Sequence, residues 1–120
     1  MSKERNVLGT ILQICSISPK TGFRRDGYCS CNEIDYGEHT ICVLVSKEFL
    51  DFSVKCGNDL VTPNAEYLFP GLKPGDQWCV CLNRWIEAYN AGVAPKVILE
   101  STNESVLDKV SITLLKDYQA

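Results

Sequence analysis

Two cysteines one residue apart, Cys79 and Cys81, stand between Trp78 and Trp85 in the run GDQWCVCLNRW. Thiols so spaced can clip a metal ion, cycle through a disulfide, or supply one activated nucleophile. A helical reading separates them. Asp76 follows the Pro74-Gly75 turn and suits an N-cap, which predicts a helix over 77–91 stopped by Gly92. At about 100° per residue, Trp78, Cys81, Leu82, Trp85 and Tyr89 then share one buried stripe, and Cys79 lies about 200° around from Cys81. On that geometry the pair cannot grip one ion, and Cys81 is a packing residue. Cys79 falls in the first helical turn, where unpaired N–H groups favour a thiolate, and is the candidate nucleophile. The Asp76 carboxylate competes for the same N–H groups, so simple packing is the other reading of Cys79.

A second group of donors, Cys29, Cys31, His39 and Cys42, has the types needed for structural zinc, though not a standard finger spacing. The candidate metal ligands are Cys29, His39 and Cys42. In one regular strand over 39–45, His39 and Cys42 would face opposite sides, so chelation requires His39 still in the loop. Zinc is the one cofactor these residues suggest; otherwise none is expected. His39 is the only histidine, so any Cys–His dyad must use it. The plainer reading is a histidine at a strand entrance bonding backbone groups. Cys79, His39 and Asp26 make the candidate catalytic set, and Arg25, Asn58, Asp59 and Arg84 the candidate ligand-binding set. Asp26-Gly27 reads equally as a turn, and Asp59 as the cap of the loop that follows.

The elements that must position these groups come from a chain of 120 residues, 45% hydrophobic, which fits one domain over 1–120 with one core. A formal charge of -3, with basic residues scattered except at Arg24-Arg25, argues against nucleic acid as a partner. No apolar run approaches the roughly 20 residues of a membrane span, so no membrane partner is expected. The apolar run 7–14 is broken by Gly9, Thr10 and Gln13, and Ile14 is too bulky for a cleavage site. These observations predict a soluble cytoplasmic protein whose seven cysteines stay reduced without structural disulfides. A monomer or homodimer is expected.

Strands are predicted over 7–14, 39–45 and 96–100. Helices are predicted over 47–56 behind Ser46, over 77–91, briefly after a Ser101/Glu104 capping box, and from Ser111 to about residue 118. The fold class is α+β: a short sheet of about three strands packed with about four helices and long irregular loops. Three prolines and two glycines make 59–75 a loop, and Tyr67, Leu68, Phe69 and Leu72 predict that it is packed rather than disordered.

The blocks NVLGT, Thr21-Gly22-Phe23, Arg25-Asp26-Gly27, HTIC, GNDL, Thr62-Pro63, FPGL, GDQWCVC, Arg84-Trp85 and Ala94-Pro95 cover nearly the whole chain. In that order they resemble a family of small, mostly bacterial proteins known as domain of unknown function 2237. The resemblance implies a single intracellular domain and no established activity, substrate or cofactor. It also implies a cysteine pair after the Arg-Asp-Gly block and a histidine after the last strand, where this chain has Tyr28-Cys29 and Asn103. The function expected is a small-molecule binding or catalytic domain whose polar site is formed by loops 22–39 and 58–76. The alternative is a non-catalytic interaction or zinc-stabilised module.

Overall fold

The apolar, β-branched run HTICVL forms the central strand β1 (His39–Leu44) of the computed structural model, which describes residues 4–67 and 69–120 and only the backbone of Tyr67. Ser46 then accepts the Phe49 N–H and opens helix α1 (Lys47–Lys55), which Gly57 ends at φ +85°. Strand β2 (Gln77–Cys81) runs without a loop into helix α2 (Leu82–Asn90). A two-residue strand β3 (Lys96–Val97) and helix α3 (Ile112–Asp117), capped by Ser111 on Leu114, complete the regular elements. Short 3₁₀ turns lie at Ala65–Tyr67, Leu99–Ser101 and Glu104–Asp108.

The sheet has the order β2-β1-β3, with both pairings antiparallel. Its two faces bury different chemistry. Ile41, Val43, Trp78 and Val80 join Phe49 and Leu50 of α1, Leu82, Trp85 and Ala88 of α2, and Leu115 of α3 in the main core. Each such large side chain contributes about 1.5–3 kcal/mol by leaving water. Trp85 satisfies its indole N–H on the Pro95 carbonyl at 3.2 Å and is flanked by the rings of Tyr89 and Tyr118. The other parity, Cys42 and Cys79, joins Cys15 and Cys29 in a second buried cluster, so the N-terminal segment covers the face that the helices leave open.

The α+β class stands, with three strands and three α-helices among the described residues rather than four helices. The helix predicted over 77–91 is a strand for its first five residues. Asp76 does not cap a helix: its carboxylate accepts from the Lys73 N–H at 3.1 Å and takes the Lys73 Nζ at 3.2 Å, closing the turn at 73–76. That turn returns the chain antiparallel to β1, and the residues QWCVC alternate core and cysteine faces with period two. The strand predicted over 7–14 is irregular. The fully buried Asn6 accepts the N–H groups of Leu8 and Thr10 and donates to Thr10 Oγ1 and the Glu100 carbonyl, so side-chain bonds replace a ladder. The strand predicted over 96–100 stops at Val97, and Asn103 rather than Ser101 caps the turn that follows. In the 59–75 loop, Leu72 is buried and Phe69 packs edge-on to Trp78 at 5.2 Å between ring centroids, as expected of a packed loop. The Tyr67 side chain and Leu68 lie outside the described residues. Among the described residues no helix is long and apolar enough to cross a membrane.

Candidate functional site

β1 begins with an irregularity that sets the chemistry. Its register pairs Cys42 with Cys79 and Ile41 with Val80, but then His39 with Cys81, leaving Thr40 as an extra residue. This bulge places the His39 imidazole Nε2 at 3.6 Å from Cys81 Sγ. The other ring nitrogen, Nδ1, lies 2.7 Å from Asp35 Oδ1, and the His39 backbone N–H donates to Asp35 Oδ2 at 2.9 Å. One carboxylate thus fixes both the ring and the chain that carries it, with a proton assigned to Nδ1. The Asp35 side chain is 2% exposed and that of His39 36%. Thiol, imidazole and carboxylate form one hydrogen-bonded line, the arrangement that activates a cysteine nucleophile.

The turn between Asp35 and His39 is shaped to hold this line. The Glu38 N–H returns to the Asp35 carbonyl at 3.0 Å, and Glu38 itself sits at φ +52°, a conformation that costs a non-glycine residue energy. A Cβ on Gly37 would lie 2.8 Å from Cys81 Sγ and 2.9 Å from His39 Cε1, so only glycine leaves the sulfur and ring in place. Cys81 stands at the N-cap of α2 without a side-chain capping bond, which leaves its sulfur to the imidazole. The His39 pKa is raised to about 9, chiefly by its bond to Cys81, with Asp35 adding to the rise and burial opposing it. At neutral pH the ring carries a proton on each nitrogen.

His39 also lines a cleft of about 340 Å³, together with Arg25, Asp59, Asn64, Phe69 and Trp78. Both segments nominated by the sequence contribute to its walls. Arg25 lies with its guanidinium carbon 5.1 Å from the centre of the Trp78 ring and donates to the Gly22 carbonyl at 2.8 Å. Burial pushes its pKa down from the ordinary value. Asp59 accepts the N–H groups of Val61 and Thr62, and a bond from the Thr62 side chain first, then these backbone bonds, hold its carboxyl below its usual pKa. It therefore caps its loop and lines the cleft at once.

The remaining nominated residues go elsewhere. Cys79 is 1% exposed and bonded to Cys29, so it is not a free thiol, and the free sulfur of the GDQWCVC run is Cys81. The expected exposures of the two are reversed because they lie on a strand, not a helix. Asp26 is exposed and accepts the Tyr28 N–H at 3.1 Å, the turn reading, and the carboxylate on His39 belongs to Asp35 instead. Arg84 donates to the Cys56 carbonyl and pairs with Glu87, away from the cleft lining, and Asn58 continues the end of α1 by donating its N–H to the Ser53 carbonyl. The metal set Cys29, His39 and Cys42 is not assembled. Cys29 and Cys42 belong to two different disulfides, and both His39 nitrogens are spent on Cys81 and Asp35.

The expectation of no structural disulfide is also corrected. Cys15 is bonded to Cys42 and Cys29 to Cys79, with Cα separations of 5.8 and 5.4 Å that suit the bond. Cys31, Cys56 and Cys81 are free. Sequence reasoning missed Asp35 and Cys81 as partners of His39. Asp35 had a local signal, a carboxylate four residues before the sole histidine across a glycine turn; Cys81 needed the strand pairing.

The sequence profile of a family described as an uncharacterized protein conserved in bacteria, domain of unknown function 2237, matches residues 5–119. No curated protein matches the chain.

Proposed function

The chain belongs to that bacterial family, whose description names no reaction, and we propose from the geometry that it is a small-molecule domain in which Cys81 acts as a thiol nucleophile. The reading is carried by one observation: the ring at the centre of the Asp35–His39–Cys81 line, with Cys81 Sγ on its Nε2, also walls the cleft. The Cys81 thiolate adds to an electrophilic carbon held in the cleft, forming the S–C bond while the bond to the leaving group breaks. The His39 imidazolium gives its Nε2 proton to the departing atom, and Asp35 keeps the ring oriented and stabilises its charge. A water then releases the bound group, with His39 taking back a proton. Phe69 and Trp78 offer an apolar wall and Arg25, Asp59 and Asn64 polar edges, which suits a small, partly polar substrate. The alternative, an interaction or zinc-stabilised module, draws its support from the cysteine cluster on the other strand positions.

Native alkylation with iodoacetamide, read by peptide mass spectrometry, tests the nucleophile. Cys81 should react faster than the more exposed Cys31, and His39→Asn should slow Cys81 by about tenfold or more, the scale of a lost acid–base partner. A Cys81 rate that matches Cys31 and ignores the His39 substitution would overturn the reading.

A further inference from the structure

We propose that the four buried cysteines have a second state in which, once a dithiol reductant has opened both disulfides, Cys15, Cys29, Cys42 and Cys79 together bind one zinc ion. This inference is independent of the chemistry at Cys81. Two structural disulfides have no need to approach each other, yet the sulfurs of Cys15, Cys29 and Cys79 lie within 4.8 Å of one another, and Cys42 is bonded to Cys15. Zinc–sulfur bonds of about 2.3 Å put tetrahedral thiolates roughly 3.8 Å apart. The sulfurs of Cys15, Cys29 and Cys79 need to move only on the order of 1 Å once the S–S bonds are gone, and that of Cys42, released from Cys15, completes the set by turning toward the other three.

The backbone that carries them is anchored by other bonds. Cys42 and Cys79 face each other in the β1–β2 register, with their N–H groups on Thr102 Oγ1 at 3.1 Å and Thr21 Oγ1 at 2.8 Å. Cys15 donates its N–H to the Gly27 carbonyl at 2.7 Å and accepts from Gln77 Nε2 at 2.6 Å. All four residues are at most 3% exposed, so water is a poor competitor for the ion. A donor set of four sulfurs selects zinc over magnesium or calcium.

The step balances. Each S–S bond takes two electrons and two protons from a dithiol, which is itself oxidised to a disulfide. Zinc then displaces the four thiol protons, so loading releases acid and is reversed by it.

The test uses the full chain with Cys31, Cys56 and Cys81 replaced by serine, reduced anaerobically with a phosphine and titrated with cobalt(II) as the spectroscopic probe. The expected result is one cobalt per chain with the intense visible absorption of a tetrahedral thiolate site, displaced by zinc. Cys29→Ser or Cys42→Ser in that background should weaken or abolish that absorption. Because the serine background could fold poorly, the wild-type chain is reduced in parallel, and zinc should raise its melting temperature. No uptake, a pale octahedral spectrum, or uptake indifferent to both substitutions would overturn the proposal, as would a wild-type melting temperature that zinc leaves unchanged.

Discussion

A sulfur 3.6 Å from an imidazole that is itself 2.7 Å from a buried carboxylate is a residue-scale fact with consequences at the same scale. Gly37→Ala adds a methyl between Cys81 Sγ and His39 Cε1, both side-chain atoms that can yield, so the fold should survive while the line is broken. The variant should melt within a few degrees of the parent and lose the fast alkylation of Cys81; a variant with unchanged alkylation would show that the contact does not matter. The pH dependence has a definite sign. His39 holds its proton more tightly folded, at about 9, than unfolded, at about 6.5. Its contribution to stability is complete below pH 6.5 and is lost as pH rises through 9, because there the native state binds more protons than the unfolded one. Urea midpoints between those values should therefore fall with pH in the parent, and less steeply in Cys81→Ser, which removes the main cause of the shift. A parallel pH slope in both proteins would refute the assignment. Of this line His39 is legible as the sole histidine, and Asp35 only through its place four residues before it in a run that reads as loop; the partner thiol falls to Cys79 when the element is read as a helix.

That misreading belongs to the scale of elements. Trp78, Leu82 and Trp85 have helical spacing and are all buried, but Trp78 faces the core from β2 and the other two from α2. Nothing within the segment separates the two periods; the partner strand does, through pairing with 39–44 that sequence spacing alone cannot reveal. Caps were legible because their signal is local. Ser46 and Ser111 each accept an N–H three residues on, so Ser46→Ala and Ser111→Ala should each cost about 1 kcal/mol in denaturant unfolding. Losses near zero for both would mean that water serves these helix ends as well as the hydroxyls do. The packed 59–75 loop was legible through its apolar residues. Phe69→Ala should expose that loop to limited proteolysis by removing its contact with Trp78, whereas cleavage unchanged from the parent would place the loop's order in Leu72 and the backbone bonds alone.

At the scale of the whole molecule, the face of the sheet opposite the helices is closed by a segment with almost no regular structure, and two kinds of attachment hold it. Residues 4–13 are tied by hydrogen bonds: Val7 N–H to the Thr102 carbonyl, Gln13 N–H to the Glu100 carbonyl, Glu104 N–H to the Arg5 carbonyl, and the buried Asn6. Residues 15–31 depend on the two disulfides, helped by Gln77 on the Cys15 carbonyl and Thr21 on the Cys79 N–H. Loops with sequence separations of 27 and 50 correspond, on the chain-entropy account, to about 3.5 and 4 kcal/mol. The loops interleave, so the two figures do not simply add. Even one is a large part of the 5–15 kcal/mol, in order of magnitude, that holds a domain together. Reduction in the absence of metal should therefore open 15–31 before the sheet gives way. Native hydrogen exchange after reduction should show the amides of Cys15, Arg25 and Gly27, bonded to the carbonyls of Gly27, Gly22 and Thr21, losing protection while those of Val7 and Gln13 keep it. Because Arg25 walls the cleft, the same treatment should alter access to the cleft without touching Cys81. Uniform loss of protection would mean that the disulfides support the whole fold as one unit, and unchanged protection that the hydrogen bonds alone suffice to hold the segment on the sheet.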